Sequence, residues 1–167
     1  MKKQGFTLIE LMVVIVIMGI LAAVAVPKLF GMIAKSKASE VGPAAGTYIK
    51  LQEVYASEQN KVGTWLEIGY KDPAGSDGTT SGQTANFQYI QGETTGTDDW
   101  KAVSFVGLND CQVGTAWMIG SDYSSTTGNV TAKADFSANG TGCSIAGLTP
   151  NFCKLTSAGV TKGDGCN

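Results

Sequence analysis

The sequence lacks the features that most often carry enzyme chemistry. It contains no histidine, so a serine or cysteine nucleophile would have no imidazole base, and a histidine-containing metal site is impossible. A glycine-rich phosphate loop is also missing, because the stretch from Gly159 to Lys162 has neither the second glycine nor the Lys-Ser/Thr pair that such a loop needs. We therefore predict a protein that is not an enzyme, with no catalytic residue, no cofactor and no metal.

Positive charge is scarce as well. All twelve basic side chains are lysines, and the formal net charge is −2. Proteins that bind nucleic acid usually carry a basic patch, in which arginine is prominent. The chain has no such electrostatic footprint, so nucleic acid is not indicated as a partner.

What the sequence does contain is one long apolar run near its start. From Phe6 to Val26 there are 21 residues with a single charge, Glu10. At about 1.5 Å of rise per residue they form a helix of roughly 31 Å, which is about the thickness of a bilayer core. Because a helix satisfies its own backbone hydrogen bonds, we predict that residues 6–26 span a membrane.

Glu10 is the anomaly in this run. A carboxylate at the centre of a spanning helix costs about 2.5 to 3.5 kcal/mol, and less near the end. One interpretation places Glu10 in the first helical turn, where the helix dipole favours an anion. The other supplies a partner, since a cut between Gly5 and Phe6 would create a positively charged α-amine. That amine, from the same chain or from a neighbouring helix shifted along its axis, would pair with Glu10 and set the register between subunits.

The stretch Lys2-Lys3-Gln4-Gly5-Phe6-Thr7-Leu8-Ile9-Glu10-Leu11 resembles the prepilin signal of type IV pilins and their pseudopilin relatives. The resemblance covers about residues 1 to 58. It implies cleavage after Gly5 by a prepilin peptidase, N-methylation of Phe6 and assembly of the helix into a filament core. It also implies that Glu10 neutralises the N-terminal amine during assembly, and that Gly19 and Pro27 lie in the flexible part of the helix.

An ordinary secretory signal is the alternative interpretation of this N-terminus. Two lysines, an apolar run and the small residues Ala23-Val24-Ala25 also fit such a signal with its cleavage site. Against it, the apolar run exceeds the usual length of about 7 to 15 residues, and it contains Glu10. We therefore prefer the prepilin interpretation.

The four cysteines, Cys111, Cys143, Cys153 and Cys166, all lie in the C-terminal third. An even number behind an export-type N-terminus indicates two disulfides formed in an oxidising compartment. The spacing leaves three connectivities open. The resemblance favours Cys153 with Cys166, because many pilins have a cysteine-bounded C-terminal loop, and this leaves Cys111 with Cys143.

Two kinds of metal site are weaker alternatives. Zinc bound by the cysteines has against it the absence of any C-x-x-C pair and of histidine. Calcium bound by Asp98, Asp99 and Asp110 has a precedent in pseudopilins of type II secretion, to which the N-terminus is also similar. No spaced loop of oxygen ligands is present, however, and aspartates in loops are usually turn formers.

Beyond the apolar run, the helix is predicted to continue to about residue 58. Pro27 removes an amide donor and should kink or locally open it. Apolar residues nevertheless recur at helical spacing and keep their phase across Gly42-Pro43, which favours a kinked but continuous helix. The stripe comprises Phe30, Ala34, Ala38, Val41, Ala45, Tyr48, Leu51 and Tyr55.

The remaining chain predicts a small α+β head. A Gly- and Ser-rich stretch from Gly63 to about Gln83 indicates a long surface loop. Short alternating runs then predict four strands, in which Trp100 and Trp117 are core residues: Phe87–Gln91, Lys101–Gly107, Thr115–Ser121 and Val130–Phe136. We expect a long helix packed on an antiparallel sheet, with a leader at 1–5, a spanning helix at 6–26, an amphipathic continuation at 27–58 and a head at 59–167.

Together these features predict a structural subunit of a type IV pilus. Its expected partners are further copies of itself in a helical homopolymer, the prepilin peptidase, the inner-membrane assembly machinery and, before assembly, membrane lipid. The precursor is expected in the bacterial inner membrane with its head outside, and the product in an extracellular filament. The alternatives are a pseudopilin of type II secretion, a minor pilin, or a membrane-tethered binding or enzymatic domain, although no convergent polar site supports the last.

Overall fold

The N-terminal third of the protein is a long helical stretch. The computed structural model describes residues 7–92, 99–158 and 163–166. Helix α1 spans Leu8–Ala38 and helix α2 spans Val41–Gln59. The long N-terminal helix predicted from the sequence is therefore confirmed, and α1 runs through Pro27 as one assigned helix. The C-cap Asn60 ends α2 in the left-handed conformation, with φ of 54°.

The helical stretch is interrupted between α1 and α2, where the sequence predicted a kinked but continuous helix. The interruption consists of Ser39 and Glu40, two residues before Gly42-Pro43. Pro43 is the third residue of α2, where a backbone N–H has no partner inside the helix. The missing donor of Pro43 therefore costs no helical hydrogen bond, and α2 starts without a break at this proline.

The head contains a five-stranded antiparallel sheet in simple sequence order, β1-β2-β3-β4-β5. This confirms the α+β prediction and all four expected strands, with shifts of up to three residues at their ends. The two-residue strand β1 was not expected. The strands are β1 Gly82–Gln83, β2 Phe87–Gln91, β3 Trp100–Ser104, β4 Ala116–Ser124 and β5 Asn129–Ser137.

The core lies between α2 and one face of the sheet. Helix α2 packs against β3, β4 and β5, and Tyr48 at its centre is 1% exposed. Trp100 and Trp117 are fully buried, as predicted. Each indole N–H has an acceptor, the hydroxyl of Tyr70 for Trp100 and the hydroxyl of Thr149 for Trp117, both at 2.8 Å. The predicted helical stripe is buried in its middle, partly buried at its C-terminal end (Leu51 and Tyr55) and exposed at its first residue, Phe30.

The stretch after α2 is not the plain surface loop that its composition indicated. Trp65 and Tyr70 are both 1% exposed, and their rings meet edge to face with centroids 4.8 Å apart. Gln91 Oε1 accepts a hydrogen bond from the backbone N–H of Trp65 at 2.8 Å. Burial of two large aromatic rings removes much apolar area from water and is strongly favourable. The first part of the stretch therefore belongs to the core, although its composition is polar.

The C-terminal segment folds back over the edge of β5. It contains a short helix α3, Ile145–Leu148, and a 3₁₀ turn at Phe152–Leu155. The backbone N–H groups of Ser157 and Gly163 donate to the carbonyls of Ala132 and Ala134 in β5 at 2.8 and 3.1 Å. These bonds occupy the free edge of β5, which would otherwise be open to another strand.

Two disulfides hold this segment in place. One joins Cys111 to Cys143, with Cα atoms 4.4 Å apart, and the other joins Cys153 to Cys166, with Cα atoms 5.6 Å apart. This is the pairing that the resemblance to pilins favoured. The first bridge ties the loop before β4 to the residues before α3, and the second ties the 3₁₀ turn to the C-terminal end.

Candidate functional site

The most unusual surface of this protein is the first part of α1. Every residue from Thr7 to Phe30 is exposed, and α1 first becomes buried at Ala34. Monomeric soluble proteins rarely expose contiguous apolar patches above a few hundred Å², and larger ones mark interfaces. The exposed large apolar side chains between residues 8 and 33 are Leu8, Ile9, Leu11, Met12, Val13, Val14, Ile15, Val16, Ile17, Met18, Ile20, Leu21, Val24, Val26, Leu29, Phe30, Met32 and Ile33.

The size of this surface can be expressed as free energy. Full burial of one such side chain contributes about 1.5 to 3 kcal/mol, and these 18 side chains each keep between 43% and 78% of their area exposed. Burying the exposed part of these side chains would contribute a free energy on the order of 20 kcal/mol, which exceeds the net stability of a typical domain. The helix is also long and apolar enough to cross a membrane. An exposed apolar surface of this size marks an interface.

A capping box between Thr7 and Glu10 caps the N-terminus of α1. The carboxylate oxygen Glu10 Oε2 accepts hydrogen bonds from the backbone N–H and from the hydroxyl of Thr7, at 2.8 and 2.7 Å. In return the backbone N–H of Glu10 donates to the hydroxyl oxygen of Thr7 at 3.4 Å. The second carboxylate oxygen, Oε1, accepts no hydrogen bond within the part of the chain that the structure describes.

Sequence reasoning missed Thr7, although its signal was present. A Ser or Thr followed three residues later by Glu or Gln, directly before an apolar run, is the pattern of a capping box, and Thr7 to Glu10 fits it. The carboxylate therefore has a structural partner within its own chain. The interpretation of Glu10 as a first-turn anion and the interpretation as a partner for an amine are thus compatible.

The other predicted positions of the N-terminal region divide into two groups. Gly5 and Phe6, the expected cleavage and methylation positions, lie outside the described residues. Gly19 and Pro27 both lie on the exposed part of α1, and a Cβ added at Gly19 would meet no other atom within 4 Å. The flexibility expected at these two positions stays a prediction.

Of the three aspartates weighed as calcium ligands, the two that the structure describes have different surroundings. Asp98 lies outside the described residues, and Asp110 is exposed, with its Oδ2 accepting from Asn109 at 2.7 Å. Asp99 is 2% exposed, and its Oδ2 accepts from the backbone N–H and from the hydroxyl of Ser121, both at 2.5 Å. Among the described residues no group of three or more cysteines or carboxylates is arranged to hold a metal.

Asp99 belongs instead to a buried polar chain that joins α2 to the sheet. Ser121 Oγ is 3.1 Å from the hydroxyl of Tyr48, and this hydroxyl accepts from Gln52 Nε2 at 2.9 Å. The amide of Gln52 also bonds both backbone groups of Gly63, at 2.6 and 3.0 Å. Sequence reasoning found none of these contacts, because they join residues that are distant along the chain. They fix the head rather than form a reactive site.

Burial also changes the acidity of three tyrosines in the head. Loss of solvent raises the pKa of Tyr48, Tyr70 and Tyr89 above that of a free phenol. For Tyr89 the neighbouring carboxylate of Glu40 adds to the rise in pKa, since Glu40 Oε1 accepts from the Tyr89 hydroxyl at 3.1 Å. All three phenols are therefore neutral hydrogen-bonding groups in the folded head.

Comparison with known proteins points to the same N-terminal region. A family model described as the prokaryotic N-terminal methylation motif matches residues 1–26. The chain is 38% identical over 76 residues to the type IV major pilin protein PilA of Myxococcus xanthus, covering 45% of this chain and 34% of that protein. It is also 38% identical over 88 residues to the fimbrial protein EcpC of Eikenella corrodens, covering 53% of this chain and 51% of that protein.

These matches cover only a third to about half of the length of the two relatives. A shorter relative is covered more fully. The type IV narrow pilus major component PilA5 of Thermus thermophilus is 34% identical over 84 residues, which are 50% of this chain and 70% of that protein. Since this pilus component is matched over more than two thirds of its own length, the chain belongs to the type IV pilin family.

Proposed function

We propose that this chain is a structural subunit of a type IV pilus filament, assembled through its N-terminal helix. The observation that carries the proposal is the contrast between the two parts of the molecule. The head shares one buried core with α2 and the end of α1, whereas α1 exposes 18 large apolar side chains between residues 8 and 33. Relatives named as major pilins and pilus components support the same role.

The exposed helix has two successive environments in this proposal. Before assembly it lies in the bacterial inner membrane, where lipid covers its apolar side chains. After assembly the corresponding helices of further copies replace the lipid, and the filament extends outside the cell. The two disulfides support a head on the periplasmic or extracellular side, because disulfides persist in oxidising compartments.

Processing would come before assembly. Residues 1–5 form the leader, a prepilin peptidase cuts between Gly5 and Phe6, and the new amine of Phe6 is methylated. The methylation motif matched over residues 1–26 supports these steps. The inner-membrane pilus machinery would then extract the processed chain from lipid. Gly19 and Pro27 would let α1 adapt its shape during this transfer.

Glu10 would fix the axial register of the helices. Both hydrogen bonds from Thr7 go to Oε2, so Thr7 orients the carboxylate and leaves Oε1 available to the α-amine of Phe6. A pair buried among apolar helices is strongly favoured over either charge alone, because an unpartnered buried charge costs several kcal/mol. Helices that place an amine next to Glu10 would therefore be selected over other staggers.

Immunogold electron microscopy of source cells tests the proposal. Antibodies raised against the head should decorate filaments along their whole length, and the filaments should disappear when the chain is deleted and return when it is supplied again. Label confined to filament tips would indicate a minor pilin. Filaments that persist without the chain and carry no label would contradict the proposal.

A further inference from the structure

One loop of the head lies beside α1 just after the apolar run ends. This loop, residues 105–114, connects β3 to β4, and we call it the base loop. Its tip, Asn109, lines two cavities against the helix, one together with Phe30 and the other together with Gly31. The base loop is therefore the part of the head that meets the helix where the predicted membrane span has just ended.

This part of α1 lies at the depth of the lipid headgroups. Val26 ends the apolar run, and Phe30 follows four residues later, about 6 Å further along the helix axis. The headgroup layer adds about 5 to 7 Å on each side of the hydrocarbon core. A helix that places residues 6–26 in the core therefore holds Phe30, and the tip of the base loop beside it, among the headgroups.

The base loop exposes apolar side chains from a well-anchored frame. Beyond α2, the described part of the chain has three exposed large apolar side chains, and two of them are Phe105 and Val113, at 38% and 52%. The backbone of Ser104 bonds the two residues that follow Val113, each at 2.9 Å, so the two arms of the loop are neighbours. Leu108 and Cys111, on either side of the tip, are buried and hold the loop against the head.

Three lysines of α1 add positive charge at the same level, namely Lys28, Lys35 and Lys37. Positive residues are normally concentrated on the cytoplasmic side of a span, so lysines on the side of the head are not explained by topology. None of the three forms an ion pair with a described residue. Because side chains on a helix lean towards its N-terminus, all three lean back towards the membrane. The base loop opposes them with one acidic residue, Asp110, so the combined surface is positive.

We propose that the base loop and the three lysines bind anionic phospholipid headgroups on the head side of the membrane before assembly. The inference rests on the proposed function in one respect, that α1 spans the membrane. The lysine ammonium groups pair with lipid phosphates, which strengthens binding about fivefold per lysine. Phe105 and Val113 enter the apolar boundary below the headgroups. Continuity with the span and the positive charge select lipid as the occupant, and the contact fixes the orientation of the head until the chain leaves the membrane.

Fluorescence quenching in vesicles tests this contact. The full chain is reconstituted at low density in phosphatidylcholine vesicles, with or without phosphatidylglycerol, that carry a quencher on a lipid headgroup. A fluorescent amino acid is placed at Gln112 in the base loop or at Thr126 in the turn after β4, both exposed positions. Strand β4 has nine residues, so the turn lies about 30 Å from the base loop. With phosphatidylglycerol present, we expect quenching at Gln112 to be at least threefold stronger than at Thr126, and without it we expect the two to be equal.

Charge variants show whether the lysines carry the contact. The test variant combines Lys28→Gln, Lys35→Gln and Lys37→Gln, and a control of equal charge combines Lys50→Gln, Lys71→Gln and Lys133→Gln. The test variant should reduce quenching at Gln112 to its level in phosphatidylcholine alone, and the control should retain it. Both variants should float with the vesicles as fully as the unmodified chain, because α1 is still apolar.

Three results would overturn the proposal. The first is equal quenching at Gln112 and Thr126 in anionic vesicles, and the second is full quenching in the test variant. The third is a signal at Gln112 that depends on the number of chains per vesicle but not on lipid charge, which would assign the base loop to a second copy. In each case the chain still floats and the proposed function is untouched. A chain that does not float lacks a spanning helix, and the proposed function then falls together with this inference.

Discussion

Replacing Glu10 by leucine separates the role of its carboxylate in assembly from its role in the membrane. The variant loses the hydrogen bonds from Thr7 at 2.8 and 2.7 Å, and loss of a cap costs about 1 kcal/mol. Removing a carboxylate from a spanning helix contributes in the opposite direction, by up to about 2.5 to 3.5 kcal/mol. The two effects together leave membrane insertion intact or slightly improved.

Assembly should respond in the opposite way. In the filament, Glu10→Leu leaves the α-amine of Phe6 buried without its partner, which costs about 3 to 5 kcal/mol. Because 1.4 kcal/mol is a factor of ten, addition of a subunit should weaken by at least about 100-fold. Membrane flotation measures insertion, and the yield of sheared filaments measures assembly. Filaments at the unmodified yield would refute the reasoning about register.

Thr7→Ala provides the control for this experiment. It removes the hydroxyl that caps α1 but keeps the carboxylate of Glu10. A loss of about 1 kcal/mol predicts a filament yield within about fivefold of the unmodified chain. If Thr7→Ala abolishes filaments as fully as Glu10→Leu, helix capping rather than pairing with the amine explains the effect.

Three further predictions concern processing and the head. Gly5→Phe should block removal of the leader, and a chain of unchanged processed mass would reject Gly5 as the cleavage position. Cys153→Ser combined with Cys166→Ser opens a loop with a sequence separation of 13 and should lower the free energy of unfolding by about 3 kcal/mol; denaturant titration without reductant checks this, and an unchanged midpoint would contradict it. Burial raises the pKa of Tyr48, Tyr70 and Tyr89 above the ordinary value of 10.0. The free energy of unfolding should therefore keep its full value below pH 10 and fall as the pH rises further, because the unfolded chain loses these protons first. Thermal unfolding between pH 8 and 12 measures this fall, and a melting temperature that stays constant would contradict it.

The parts of the fold that could be predicted depend on local patterns. The long helix followed from an uninterrupted apolar run and a stripe at steps of three and four, which need no knowledge of distant contacts. Strand β5 followed from strict alternation, with Val130, Ala132 and Ala134 on one face, and these three are buried. The capping box of Thr7 and Glu10 is equally local and could have been found.

The parts that were missed depend on contacts between distant residues. Strand β1 has only two residues, and Gly82 forms it beside the carboxylate of Asp72, where a Cβ would overlap the carboxylate. Trp65 is core because Tyr70 and Gln91 surround it, although its polar neighbours indicate a loop. Likewise, nothing in the sequence near Asp99 indicates that Ser121 will be its partner.

The candidate site divides in the same way. The exposed apolar helix and the anomalous Glu10 are properties of one segment, and the sequence therefore revealed them. The cavities beside the helices combine residues of α1 and α2 with residues of the C-terminal segment, so only the folded chain places their walls together. The open space above Gly31 and Gly42 also has no signal in the sequence, where each looks like an ordinary helical glycine.

The central claim is that this chain loses its leader and is assembled through its N-terminal helix. Intact mass and N-terminal sequencing of the protein, from sheared surface filaments and separately from membranes, test it most directly. We predict an abundant chain in the sheared fraction that begins at methylated Phe6. A chain that begins after Ala25, and is found free of filaments, would mean an ordinary secreted domain and would contradict the account.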